Sequence, residues 1–151
     1  MRDIVTRDTG TFFTGLTALP VIKTTQTATS VDLEAYNGCT IYILANTWTD
    51  GTLTPVIEES DASGSGFATV ANGDLVAWSA TSATDFTPVR VGGAQPTAIS
   101  SAATAINWRI GYNGAKRYVR VTTTVTGSPA TGCGFDIIIQ AGDARFKPPL
   151  V

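Results

Sequence analysis

The sequence predicts an all-β protein, an antiparallel β-sandwich with jelly-roll-like connections, and three observations carry that expectation. Runs of β-prone residues recur between turn signals along the 151 residues. No window of a dozen residues keeps a 3.6-residue apolar period. Thr, Ala, Gly and Val dominate where Leu, Lys and Glu usually would. The runs are residues 30–33, 40–48, 53–59, 67–70, 89–91, 105–112, 117–125 and 135–140, and short strands in this number suit two packed sheets. A chain of this length forms one domain and buries roughly 70% of the surface its unfolded form exposes.

Residues 1–26 read as an extended N-terminal arm. Phe12, Phe13, Leu16, Leu19, Val21 and Ile22 fall in a stretch almost without charge and without sustained alternation. Left in water they would form the kind of apolar patch that marks a protein interface, so the arm is expected to contact a neighbour. The competing reading makes residues 20–23 an edge strand. The sandwich itself is assigned to residues 27–143. In the run 40–48, Ile41 and Ile43 take one face while Tyr42 and Leu44 take the other, which predicts a strand covered on both sides.

Asp50-Gly51 and Asn113-Gly114 tolerate positive φ and lie between β-rich runs, so both read as hairpin turns. Residues 77–104, rich in Ala, Ser, Thr and Gly and holding Pro88 and Pro96, read as a long excursion with one strand, anchored by Trp78 and Phe86. In the later runs parity turns Trp108, Ile110, Tyr112, Val119, Val121, Val125, Phe135, Ile137 and Ile139 inward. It turns Arg109, Tyr118, Arg120, Asp136 and Gln140 outward. Residues 144–151 form a proline-rich tail, with Phe146, Pro148 and Pro149 as contacts, because consecutive prolines forbid a central strand.

Chemistry is sparse. Without any histidine the chain lacks the commonest general base and metal ligand, and neither a nucleophile elbow nor a phosphate-binding glycine loop is present. No catalytic residue, cofactor or metal is assigned, and the expectation is a protein that is not an enzyme. A net charge of −2 gives no basic footprint for nucleic acid. No apolar run is long enough to cross a membrane as a helix. Charges at Arg2, Asp3, Arg7 and Asp8 argue against an export signal, so the product is expected to stay in the cytoplasm where it is made. Cys39 and Cys133 read as small buried apolar side chains, with a cross-strand bridge as the alternative. Glu58, Glu59 and Asp61 form an acidic group that reads as a solvated strand end, with a hard cation as the competing reading.

Two sharper expectations concern charge. Glu59 shares parity with Ile57, and Arg117 with Val119, so both point inward, and one reading is a structural ion pair between them at the mouth of the sandwich, the other two independently solvated strand ends. Tyr118 and Arg120 are predicted to form an outward contact face for an acidic protein partner.

Ser30-Val31-Asp32-Leu33, Thr47-Trp48-Thr49-Asp50-Gly51-Thr52, Ile57-Glu58-Glu59-Ser60-Asp61, Arg109-Ile110-Gly111-Tyr112 and Lys116-Arg117-Tyr118-Val119-Arg120-Val121, in that order, resemble small head proteins of tailed bacteriophages. These are capsid cement or decoration proteins with a β-sandwich or jelly-roll body, and the resemblance runs from about residue 27 to residue 147. It implies a structural virion protein on the outer capsid surface that stabilises the head by clamping neighbouring subunits of the major capsid protein. Such proteins act as a dimer or trimer of identical copies. The rival expectation is a carbohydrate-binding β-sandwich using Trp48, Trp78 and Tyr112 as sugar platforms.

Overall fold

Alternating side chains build the strands β1 (Val21–Ile22), β2 (Gln26–Thr27), β3 (Val31–Asp32), β4 (Tyr36–Asn46), β5 (Thr52–Ser60) and β6 (Ala68–Thr69). The later strands are β7 (Leu75–Ser82), β8 (Asp85–Gly92), β9 (Trp108–Tyr112), β10 (Tyr118–Thr126) and β11 (Cys133–Ala144). The structure is a computed structural model that describes residues 20–82, 85–104 and 106–144, with side chains described except at 80–90 and 143–144.

The protein is an all-β sandwich. A six-stranded sheet runs β1-β11-β4-β9-β7-β8, and the second sheet runs β2-β10-β5-β6 with β3 also paired to β10. All pairings are antiparallel. Between the sheets lie Ile41, Ile43, Leu75, Ala77, Ile110 and Phe135 from the first, and Leu53, Ile57, Val119 and Val121 from the second. Their burial is the main stabilising term, about 1.5–3 kcal/mol for each large aliphatic side chain. β4 is interior to its sheet, and its outward Leu44 is also buried, against Tyr42 and Ile138.

Both dipeptide turns differ from expectation. β4 and β9 belong to the first sheet and β5 and β10 to the second, so Asp50-Gly51 and Asn113-Gly114 each carry the chain across the sandwich instead of closing a hairpin. Gly51 has φ +80°, and a Cβ there would sit 2.8 Å from the Pro129 Cβ. A Cβ on Gly114 would lie 2.5 Å from the Tyr112 hydroxyl.

Residues 77–104 are integral to the body. β7 pairs with β9 along Leu75–Ser79 and with β8 on its other side, completing the six-stranded sheet with two strands where one was expected. The sequence hides them because Ala, Ser and Thr dilute the alternation and Pro88 argues against a strand. Pro88 is tolerated because β8 is an edge. Downstream, Ile99 exchanges two backbone hydrogen bonds with Leu53 (2.9 and 2.8 Å). The Gln95 amide accepts from the Ile57 N–H at 2.8 Å and donates to the Val70 carbonyl at 2.9 Å, doing for β5 what a neighbouring strand would do.

Residues 20–27 also join the sheets. The Pro20 carbonyl accepts from the Phe135 N–H, Ile22 stands opposite Cys133 in β11, and Thr27 stands opposite Thr122 in β10. Val21 and Ile22 are therefore an edge strand, not part of a free arm. This is the competing reading given for residues 20–23.

Candidate functional site

Strand parity separates Glu58 from Glu59 at the end of β5. Glu58 faces out of the second sheet, where its carboxylate accepts from Arg120 Nε at 2.8 Å and from Thr122 Oγ1 at 2.9 Å. The Arg120 guanidinium lies 3.9 Å over the Phe67 ring, a cation–π contact. Glu59 faces in, and its carboxylate accepts a 2.5 Å hydrogen bond from the Tyr112 hydroxyl. That oxygen in turn accepts from the Lys116 N–H at 3.1 Å. Burial, followed by the Glu59 hydrogen bond, pushes the Tyr112 phenol above its ordinary ionisation range.

The neighbouring charges are paired separately. Lys116 Nζ meets Asp61 at 2.5 Å. Arg117 binds Asp32 through two nitrogens, at 2.9 and 2.7 Å, and reaches Glu34 at 2.7 Å. The Arg117 hydrogen bond holds the Asp32 carboxyl down to about 2, and the same bond raises the guanidinium. The predicted Glu59–Arg117 pair is thus replaced by two others. Arg117 precedes β10, so its side chain does not obey that strand's alternation and swings outward to β3. Glu59 does point inward, toward a phenol.

Glu58, Glu59 and Asp61 therefore diverge to three different partners, and no cluster able to hold a metal ion occurs among the described residues. Glu59, Asp61, Ser65 and Lys116 line a cavity of about 420 Å³ at this end of the sandwich. These exposed ion pairs contribute little singly, on the order of 0–1 kcal/mol. Together with the Tyr112–Glu59 hydrogen bond they tie β3, β5, β9 and β10 at one end.

Tyr118 and Arg120 do face outward as predicted, but Arg120 is half-buried and already engaged, and the Arg117 guanidinium lies 5.1 Å over the Tyr118 ring. Phe12, Phe13, Leu16 and Leu19 of the arm, and Phe146, Pro148 and Pro149 of the tail, lie outside the described residues. The proposed sugar platform does not assemble. Tyr112 is 1% exposed, Trp48 packs against the core with Nε1 donating to the Gly51 carbonyl, and Trp78 lies under Arg109. Cys39 and Cys133 are buried free thiols; burial pushes them up to about 12 and about 11.

Sequence reasoning missed two organising residues. Gln95 is the first. The second is Asp50, whose carboxylate accepts from the N–H groups of Gly132 (2.5 Å), Ala130 (2.6 Å) and Thr131, which lowers its pKa. An aspartate in an Asp-Gly pair is a turn signal, but nothing local shows that it also anchors a loop 80 residues away.

Comparison of the chain with protein-family models, with curated proteins and with solved structures finds no match.

Proposed function

We propose that this chain is a structural virion protein, a cement or decoration protein that binds the outer surface of a tailed-phage capsid and clamps neighbouring major capsid subunits. One observation supports the reading above others. Four of the five segments that carry the resemblance, residues 30–33, 57–61, 109–112 and 116–121, come from three separate parts of the chain and meet at one end of the sandwich. There Asp32 holds Arg117, Glu59 holds Tyr112, Asp61 holds Lys116 and Glu58 holds Arg120. Three of these contacts fasten the end of the second sheet and one, Tyr112 to Glu59, ties it to the first, which suits a rigid body that works by bearing load.

Such a role needs no bond-making chemistry. Affinity comes from contact area and from several copies engaging one lattice, so modest contacts multiply. The partners in this reading are the major capsid protein and further copies of the chain, as a dimer or trimer. The test is co-sedimentation of the purified protein with expanded capsids of the phage whose genome carries the gene. Saturable binding with a raised capsid melting temperature is expected, and absence of binding overturns the reading.

A further inference from the structure

The cations at the fastened end are neutralised within the chain: Lys116 by Asp61, Arg117 by Asp32 and Glu34, and Arg120 by Glu58. Arg109 is not. It lies on the outer face of the six-stranded sheet, its guanidinium 4.6 Å from the centre of the Trp78 ring, and among the described residues no carboxylate stands within ion-pair distance of it.

Register extends this pair into a row across the sheet. Ile138 stands opposite Tyr42, Tyr42 opposite Arg109, and Arg109 opposite Trp78. Arg90 follows opposite Trp78 in β8. Inward neighbours such as Ile41, Ile43 and Ile110 are fully buried, whereas Tyr42, Trp78, Arg109 and Ile138 keep partial exposure.

We infer that this outer face of the six-stranded sheet docks an acidic patch of a partner protein, a carboxylate meeting Arg109 while apolar side chains pack on Trp78, Tyr42 and Ile138. An arginine with no carboxylate partner among the described side chains presents a local positive charge that selects a carboxylate on the partner. Stacking on Trp78 holds the guanidinium flat, so less side-chain freedom is lost on docking. Trp, Tyr and Arg are also the residues that dominate interface energetics.

Other occupants fit less well. A second copy meeting the same face across a two-fold axis would bring Arg109 toward its own counterpart. Arg109, even with Arg90 in the same row, supplies too little phosphate neutralisation for nucleic acid on an acidic chain. A pyranose would compete with Arg109 for the Trp78 ring. The inference rests on the capsid reading, in which the partner is the major capsid protein.

The experiment compares wild type, Arg109→Glu, Arg109→Lys, Trp78→Ala and Arg120→Glu for binding to expanded capsids, with thermal melting as a control for folding. Arg109→Glu and Trp78→Ala are expected to weaken binding by about tenfold or more. Arg109→Lys should lie between them and wild type, and Arg120→Glu should retain most binding. Should Arg109→Glu fail to fold, Arg109→Gln takes its place. Wild-type binding that these sheet-face variants leave unchanged overturns the docking face and spares the capsid reading. No wild-type binding to capsids, or selective binding to single-stranded DNA or a glycan array instead, overturns both.

Discussion

The Tyr112 hydroxyl donates to the Glu59 carboxylate across 2.5 Å, and that bond fastens β9 of one sheet to β5 of the other. The ring is 1% exposed, so the phenol stays neutral and keeps the proton it donates. A half-buried carboxylate is costly unless such a donor faces it.

Tyr112→Phe keeps the ring and deletes the bridging oxygen. Stability should fall by about 1–3 kcal/mol, the cost of leaving a charged acceptor without its donor. Adding Glu59→Gln should recover part of the loss, because the orphaned charge is gone. Urea denaturation of the four forms measures this coupling, and a zero coupling energy would show the bond to be energetically idle.

Asp32 gives an acid signature. Its folded carboxyl lies at about 2 against an ordinary 3.8, so folding stabilises the ionised form. That contribution is fully present above about pH 4 and is lost as pH falls toward 2. Asp32→Asn should be less stable than wild type at pH 7, with the gap closing in that acid window. A gap of constant size from pH 7 to pH 2 would exclude the Arg117 pair as the source.

Arg120→Glu removes a half-buried ion pair and a ring contact and sets two carboxylates side by side in register. A loss of about 1–3 kcal/mol is expected. An outward arginine with no partner would have been nearly neutral to substitution, so calorimetry separates the two situations.

Parity made much of the body legible. Val119 and Val121 are fully buried, Tyr118 and Arg120 face out, and Leu44 is covered on the far side of its strand, all as alternation requires. What alternation cannot report is pairing. It says which side of a strand is apolar, not whether the following strand lies beside it or across from it, so both crossovers look like hairpins in the sequence. The same limit explains the inward Glu59 with a wrongly assigned partner. Gln95 and Asp50 were invisible for a related reason: each acts on backbone groups far away in sequence, and a side-chain pattern carries no trace of that.

Cys39 and Cys133 should resist alkylation in the folded protein at pH 8, since burial holds both thiols protonated. Two equivalents should react after denaturation. The sign for alkaline stability follows: a thiol pKa raised by folding leaves stability intact below the unfolded value of 9.0 and erodes it as pH rises further. Rapid modification by iodoacetamide under native conditions, followed by mass spectrometry, would contradict the burial.

The two crossing turns have a kinetic consequence. Because β9 and β10 do not pair with each other, a peptide spanning residues 106–126 has no strand partner of its own and should stay unstructured in water. β10 must instead find β5, and β11 must find β4, with partners such as Val121 and Ile57 or Ile139 and Ile41 lying 64 and 98 residues apart. Chains that must close such long loops before any pairing rewards them fold in milliseconds to seconds, not microseconds. During that interval the incomplete sheets expose unpaired edges, which makes slow refolding at high protein concentration the condition most prone to aggregation.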